Sequence, residues 1–233
     1  MSATVYLIPT VLAEGATHCL PLYLLDAIKS CQVFFAENER TARRYFKSLW
    51  KEMVIDAYEW HTIKEGDTET ASAFMRCLQE EKTIGIVSEA GCPGVADPGQ
   101  DLVRMAQQHG ATVKPLVGPN AVLLALMGSG LNGQQFRFAG YLPIETGERV
   151  NAIKALEAES AAKNCTQIFI ETPYRNNQLL ETLVKTCRPQ TRICVAADLT
   201  AATEVVQTKT AQQWKAAMPQ LHKRPAIFLL LSR

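Results

Sequence analysis

Short runs rich in β-branched and aromatic residues alternate with stretches of helical periodicity along the whole 233-residue chain. Such alternation is typical of α/β layers built on a largely parallel sheet. It predicts strands at 4–8, 33–36, 83–87 and 113–117 in the first half, and at 136–141, 167–171, 192–197 and 226–231 in the second. The last run is apolar throughout, which predicts a strand buried on both faces.

Between these strands, apolar residues recur at helical spacing and predict the intervening helices. Asp67 and Thr68 are candidate N-caps of one helix. Asp97-Pro98-Gly99-Gln100 predicts the start of another, with an acidic cap, a first-turn proline and a glutamine three residues after the cap. Thr172-Pro173 predicts a further start of the same kind. The interruption at Gly118-Pro119-Asn120 predicts two α/β domains, 1–117 and 118–233.

Composition excludes several classes of protein. The chain is 47% hydrophobic and 20% charged with a net charge of +1, which is ordinary for a globular protein and unlike a dedicated nucleic-acid binder. No apolar run approaches the roughly 20 residues that span a bilayer, and no signal-peptide pattern opens the chain, so we expect a cytoplasmic protein without a membrane segment.

The seven cysteines are scattered and odd in number, and they are expected to be reduced core thiols. There is no Cys-x-x-Cys pair, and the four histidines lie far apart in sequence. We therefore predict no metal site.

Gly128, Gly130 and Gly133 match the spacing G-x-G-x-x-G of a dinucleotide-binding loop. That loop requires a strand before it and a helix after it. Here a predicted helix precedes the glycines and a predicted strand follows them. The pattern is interpreted as a turn that ends a helix.

The segment 88–99 (SEAGCPGVADPG) lies at the carboxyl end of a predicted strand and leads into a predicted helix. Open α/β sheets bind ligands at this position. Gly91, Gly94 and Gly99 permit positive φ or a close approach of the backbone to a ligand, while Pro93 and Pro98 stiffen the loop. The alternative is an ordinary glycine-rich connection.

This segment resembles the SDAGTP…SDPG signature of the ribosomal small-subunit RNA (cytidine-2′-O-)-methyltransferase I group of the tetrapyrrole methylase superfamily. Other landmarks follow in the family's order: 6–10 (YLIPT), 36–40 (AENER, resembling AEDTR), 118–121 (GPNA, resembling PGPSA), 138–143 (FAGYLP, resembling FxGFLP) and 169–175 (FIETPYR, resembling FxESPHR). The resemblance covers nearly the whole chain. It implies two α/β domains of the tetrapyrrole methylase type, a homodimer, and S-adenosylmethionine bound in the cleft between the domains.

The resemblance carries the family's cofactor contacts onto matching positions of this chain. Those positions are Glu89, Ala90, Gly91, Cys92, Val95, Ala96, Asn120, Ala121, Glu171, Thr172, Leu199, Thr200, Pro225 and Ala226. For each of them a packing or turn role is the alternative.

The chain departs from the family pattern mainly where relatives contact substrate. The family's PTPIGNLEDIT is PTVLAEGATHC here, and its RELTK has become ADLTA at 197–201. The resembled RNA-modifying members also continue into a C-terminal extension, which these 233 residues do not include. Cofactor positions therefore match better than substrate positions.

Methyl transfer to a ribose hydroxyl requires removal of its proton, for which a nearby carboxylate is suited. Glu37 or Glu171 is the candidate base, with Arg40 positioning a phosphate. Arg40, Arg43, Arg44 and Lys47 form a basic stripe at helical spacing, which indicates phosphate contact or an ordinary solvated helix face.

Three functions are left open by the sequence. The first is a ribosomal RNA 2′-O-methyltransferase. The second is a methylase of a small molecule such as a tetrapyrrole, or of a modified protein residue. The third is a non-catalytic S-adenosylmethionine-binding module.

Overall fold

Residues 2–64 and 66–233 are described by a computed structural model, and they divide into two units at Asn120/Ala121. The division falls three residues beyond the predicted boundary because Gly118-Pro119 packs on the first unit. Gly118 lies against the Pro9 ring. The thiol of Cys92 donates to the carbonyl oxygens of Gly118 and Pro119 at 3.7 and 3.5 Å.

The first unit is a parallel sheet with helices on both faces. Its strands are β1 (Thr4–Ile8), β2 (Val33–Ala36), β3 (Glu59–Thr62), β4 (Thr83–Val87) and β5 (Thr112–Pro115), and its helices are α1 (Leu24–Ser30), α2 (Glu39–Leu49), α3 (Thr68–Gln79) and α4 (Gln100–Gln108). The strand order is β3-β2-β4-β1-β5, and every pairing is parallel. Strands β1, β2 and β4 coincide with their predictions, while β3 was missed because its sequence, EWHT, lacks an apolar run.

Two apolar clusters cover the two faces of this sheet. One contains Phe35, Phe74 and Ile84, and the other contains Phe34, Phe46 and Val87. Neighbouring residues of one strand thus supply opposite faces, as the period of a β-strand requires. The sheet is buried between its helices, so its carboxyl edge is the place where side chains can meet a ligand.

The second unit has a mixed sheet. Its elements are α5 (Ala121–Ser129), β6 (Phe136–Tyr141), α6 (Thr146–Lys163), β7 (Thr166–Ile170), α7 (Asn176–Thr186), β8 (Arg192–Ala197), β9 (Val205–Thr210), α8 (Ala211–Ala216) and β10 (Ala226–Leu231). The order is β6-β7-β10-β8-β9, and only the β6–β7 pairing is parallel. The α/β class is confirmed, but the largely parallel sheet is wrong here because β10 inserts between β7 and β8 in the opposite direction. All six residues of β10 are buried, as predicted.

Two predicted helix starts are wrong. Helix α4 begins at Gln100 rather than after Asp97, because Gly99 has φ 113° and keeps Asp97 and Pro98 in the loop. Helix α7 begins at Asn176 rather than at Pro173, because residues 172–175 form a turn in which the Arg175 N–H donates to the Thr172 carbonyl at 2.9 Å. The prediction for Gly128 and Gly130 is confirmed, since α5 ends at Ser129 and Gly130 has φ 64°.

The cysteines are all unpaired, and five of the seven are buried. Within the part of the chain that the structure describes, no helix is long and apolar enough to cross a membrane. One group of three possible metal ligands does come together: Glu59, His61 and Cys77 have ligand atoms within 4.8 Å of one another. Lys82 and Arg76 already pair with the Glu59 carboxylate at 2.8 and 3.2 Å, which opposes a cation there.

Candidate functional site

The carboxyl ends of β1, β2 and β4 bring three loop segments together in the first unit. Glu37 follows β2, and its N–H donates to the Val87 carbonyl at the end of β4 at 3.1 Å. Thr10 follows β1, and its N–H donates to the Gly91 carbonyl at 2.8 Å. A backbone hydrogen bond thus ties the glycine-rich loop, defined as residues 88–99, to the segment after β1, while the end of β4 is bonded to the segment after β2.

The glycine-rich loop needs its glycines for conformation and for space. Gly91 has φ 77°, and a Cβ there would lie 3.2 Å from Leu12 Cδ2 and 3.3 Å from the Pro119 carbonyl oxygen. Ala96 has φ 63°, a strained value for a residue with a side chain. Of the predicted cofactor residues, Gly91 is buried and Cys92 half-buried, while Glu89, Ala90, Val95 and Ala96 are exposed.

Three carboxylates gather at this strand edge. The N–H of Glu89 donates to Glu37 Oε2 at 2.9 Å, and the Thr41 hydroxyl donates to Glu89 Oε1 at 3.4 Å. Burial raises the pKa of Asp97 to about 6, the Glu37 and Glu89 carboxylates raise it as well, and a hydrogen bond from Ser88 opposes them. Asp97 was not among the predicted site residues because its sequence context indicated a helix cap.

A cavity of about 830 Å³ opens beside these carboxylates. Its lining includes Glu37 and Asp97, and it continues to Lys64, Thr68 and Arg104. The cavity is thus built from the segments that follow β2, β3 and β4 and from the first turns of α3 and α4. The sequence indicated the part of this lining that belongs to Glu37 and the glycine-rich loop, and it missed the part that follows β3 because β3 itself was not predicted.

Thr10 supplies a buried polar atom at the same edge. The residue is 3% exposed, and its hydroxyl finds no hydrogen-bond partner within residues 2–64 and 66–233. A buried unpaired hydroxyl is costly, and a ligand is one explanation for it. Thr10 belongs to the YLIPT landmark, yet it was not assigned a role.

In the second unit the remaining predicted residues share one edge of the sheet. Glu171 and Thr172 follow β7, Leu199 and Thr200 follow β8, and Pro225 precedes β10. Because β10 runs antiparallel to both neighbours, its start lies beside their ends, as shown by the pairs Ile170–Ile227 and Ala197–Ala226.

Glu171 is the most buried carboxylate at this edge, with a side chain that is 1% exposed. Its Oε1 accepts from Arg175 Nη2 and from the Thr172 N–H, both at 2.6 Å. Burial favours the neutral form, but the hydrogen bonds from Arg175 and Thr172 outweigh it and lower the pKa of Glu171. Its other oxygen, Oε2, is buried and has no partner in the described structure.

The turn after β8 is strained and held by ion pairing. Asp198 and Thr200 have φ 52° and 71°. Asp198 Oδ2 accepts from Arg224 Nε at 2.8 Å, and the Thr200 N–H donates to Glu204 Oε2 at 2.6 Å. The Thr200 hydroxyl is buried and makes no hydrogen bond to any described residue. The family resemblance indicated Thr200 from the sequence. No sequence pattern indicated Arg224, which binds Asp198 in this turn.

The predicted residues therefore fall into two groups, one at the ligand edge of each sheet. Asn120 ends the first unit and Ala121 begins α5. Of the three catalytic candidates, Glu37 lies in the first group and lines the cavity, and Glu171 lies in the second group. Arg40 is exposed on the first turn of α2.

Comparison with known proteins adds an independent line of argument. Residues 14–214 match the family described as Tetrapyrrole (Corrin/Porphyrin) Methylases. A ribosomal RNA small subunit methyltransferase I of Mesorhizobium japonicum is 31% identical over 210 residues, covering 90% of this chain and 68% of the relative. The enzyme of the same name from Escherichia coli O157:H7 is 30% identical, with 86% and 67% covered.

Solved structures of low sequence identity share the fold. Diphthine synthase superposes with a TM-score of 0.67 at 14% identity, covering 99% of this chain and 90% of its own. The methyltransferase CobJ superposes with a TM-score of 0.63 at 16% identity, covering 100% and 95%. Family members are methyltransferases that use S-adenosylmethionine. The match over residues 14–214, together with the relative that is 31% identical over 210 residues, shows that this chain belongs to the tetrapyrrole (corrin/porphyrin) methylase family.

Proposed function

We propose that this protein is an S-adenosylmethionine-dependent methyltransferase that methylates a ribose 2′-hydroxyl of ribosomal RNA. The observation that carries the proposal is the glycine-rich loop at the end of β4, which is held by hydrogen bonds from the Thr10 N–H to its Gly91 carbonyl and from its Glu89 N–H to Glu37 Oε2. The family match and the names of the curated relatives support it.

The residues present fit S-adenosylmethionine. That molecule carries an amino group, two ribose hydroxyls and an adenine amino group, all of which need hydrogen-bond partners when buried. Among the buried polar atoms that lack a partner in the described residues are the Thr10 hydroxyl in the first unit and, in the second unit, the Thr200 hydroxyl and Glu171 Oε2. We propose that the Thr10 hydroxyl and the backbone of Gly91 and Cys92 contact the cofactor, while the contacts of Glu171 and Thr200 implied by the resemblance stay predictions.

When bound, the cofactor supplies a methyl group on a cationic sulfonium. The chain is then required to align the acceptor oxygen, exclude water and receive one proton. Alignment of the reacting groups alone can lower the activation free energy of such reactions by on the order of 7–11 kcal/mol. The loop between β4 and α4 suits this role because Pro93 and Pro98 fix the backbone φ at two of its positions.

Calorimetry tests the cofactor part of the proposal. We expect S-adenosylmethionine and S-adenosylhomocysteine both to bind the purified protein with one site per chain. Absence of heat with both ligands, on protein that unfolds cooperatively, would contradict the proposal.

Methyl labelling tests the acceptor. The protein is incubated with methyl-labelled cofactor and small ribosomal subunits, free ribosomal RNA, a protein fraction or a small-molecule extract. We expect label in RNA, at a nucleotide that resists alkaline cleavage because its 2′-hydroxyl is blocked. Label in the other fractions would favour a small-molecule or protein methylase. Label in none of them would favour a non-catalytic module.

Helix α2 carries the basic stripe that the sequence indicated for RNA contact. Two of its four basic side chains, Arg43 and Lys47, already bind groups of the protein itself. Arg43 pairs with Glu39 at 2.8 Å and lies over the Trp60 ring at 5.0 Å. Lys47 Nζ donates to the Lys51 carbonyl at 2.9 Å. Arg40 and Arg44 are exposed and are the better candidates for phosphate contact.

The double variant Arg40→Glu/Arg44→Glu is expected to weaken RNA binding and to reduce the slope of log affinity against log salt by about 0.7 per lost contact. The matched control Lys154→Glu/Lys215→Glu changes charge equally on exposed positions of α6 and α8. Filter binding at several salt concentrations measures both. Equal slopes for the two variants would show that α2 is a solvated face. The homodimer implied by the resemblance stays a prediction.

A further inference from the structure

We propose that the cavity beside the glycine-rich loop receives the ribose of the acceptor nucleotide and that Asp97 takes the proton of its 2′-hydroxyl. The inference rests on the proposed function and deepens it, because it names the residue that receives the proton. Sequence reasoning pointed to Glu37 or Glu171 for that role.

The cavity has the size and chemistry for a nucleotide. Its volume of about 830 Å³ lies within the range of small-molecule sites. Thr68, Thr70 and Gln100 bring hydrogen-bonding groups to the lining. Of the two cationic side chains in the described lining, Arg104 is paired with Asp101 at 2.9 Å, so Lys64 is the candidate contact for a phosphate beside the ribose.

Four carboxylates of the described residues line the cavity, and two of them have other roles. Asp67 caps α3, where it accepts from the Glu69 N–H at 3.0 Å and from the Thr70 hydroxyl at 2.9 Å. Asp101 pairs with Arg104 at 2.9 Å. Glu37 and Asp97 are left as proton acceptors.

Glu37 and Asp97 differ in how they are held. Glu37 Oε2 accepts the Glu89 N–H at 2.9 Å, which holds the Glu37 carboxylate against the loop. Asp97 is half-buried at the end of that loop. Burial and the neighbouring Glu37 and Glu89 carboxylates disfavour its charged form and so raise its affinity for a proton.

Three groups act directly on Asp97: Glu37, which follows β2, and Ser88 and Glu89, which follow β4. The other charged residues of the described lining include Lys64 after β3 and Asp101 and Arg104 on α4. The Asp97 carboxylate in turn raises the pKa of the Cys92 thiol, after the larger effect of burial. With a pKa of about 6, Asp97 is still ionised at neutral pH and is a stronger base than an ordinary carboxylate.

The proton transfer completes a balanced reaction. The acceptor oxygen forms a bond to the methyl carbon while the carbon–sulfur bond breaks and its electron pair goes to sulfur. The hydroxyl proton passes to Asp97 Oδ and then to solvent. Glu37 acts as a positioning residue, because its negative charge keeps the proton affinity of Asp97 high.

The decisive variant is Asp97→Asn. We expect methyl transfer to RNA to fall by about 10²–10³-fold, with cofactor affinity by calorimetry and RNA affinity by filter binding within about twofold of wild type. Its melting temperature at pH 8 should equal or exceed that of the wild type, because a half-buried charge is removed. Asp56→Asn, an exposed position outside the cavity, is the matched control and should leave activity unchanged.

A second variant separates the two carboxylates. Glu37→Gln should keep measurable activity and shift the acid limb of its pH profile to lower pH, because removing a like charge lowers the pKa of Asp97. An active Asp97→Asn beside an inactive Glu37→Gln would assign the proton to Glu37 and overturn the inference while leaving the proposed function standing. A wild-type protein that labels no RNA would overturn both.

Discussion

Replacing Gly118 by alanine is expected to destabilise the first unit by about 2–3 kcal/mol. A Cβ at this position would lie 2.1 Å from Pro9 Cβ and 2.5 Å from Pro9 Cγ. A proline ring cannot rotate away from such a contact, so one of the two backbone segments must move. The free energy of unfolding in urea, obtained by linear extrapolation, measures the effect.

The displacement should also reach the glycine-rich loop. The Pro9 carbonyl accepts from the Tyr45 hydroxyl at 2.8 Å, and the next residue, Thr10, is bonded to Gly91. We therefore expect weaker cofactor binding in Gly118→Ala. Gly133→Ala is the control, since a Cβ there meets no described atom within 4 Å and its φ is not positive. Similar stabilities of the two variants would contradict the packing argument.

Removing the Glu171 side chain is expected to cost about 2 kcal/mol of stability at neutral pH. Glu171→Ala leaves the Arg175 guanidinium, which is 32% exposed, and the Thr172 N–H without their acceptor. The exposed Glu181→Ala on α7 is the control, because its only described ion pair, with Lys185, is at the surface at 3.6 Å. Equal losses of unfolding free energy in the two variants would show that the buried Glu171–Arg175 pair stabilises the protein no more than the surface Glu181–Lys185 pair does.

The pH dependence of this difference has a definite sign. The folded protein lowers the pKa of Glu171, so the stabilisation is fully present above the pKa of the unfolded state, near 4.3, and is lost as pH falls through the lower folded value. The stability gap between wild type and Glu171→Ala should therefore shrink below about pH 4. A gap that widens in acid would contradict the assignment of Glu171 as an ionised, paired carboxylate.

Particular elements show where sequence reasoning succeeded. The sequence predicted strands β1, β2, β4, β8 and β10. They are short runs of β-branched and apolar residues, which is the composition expected of strands that lie inside a covered sheet. Strands β3 and β9 were not predicted because they are edge strands of mixed polarity, whose pairing depends on a neighbour rather than on their own residues.

The two wrong helix starts share one cause. Asp97-Pro98 and Thr172-Pro173 both have the composition of a helix start, but in each case a neighbouring constraint delays the helix by several residues. Gly99 adopts a left-handed conformation before α4, and the Glu171 carboxylate binds the Thr172 N–H before α7. Local preference was overridden by contacts that the sequence pattern does not contain.

By itself the sequence determined the α/β class, the division near residue 118, the glycine-rich loop and, through its motifs, the family. Those properties depend on periodicity and on short contiguous segments, which a single chain displays directly. Only the tertiary structure decided that β10 lies antiparallel between β7 and β8, and that Asp97 shares a cavity with Glu37. The proton affinity of Asp97 arises from burial and from charges 60 and 8 residues away in sequence, at Glu37 and Glu89, so it exists only once the strand ends are assembled.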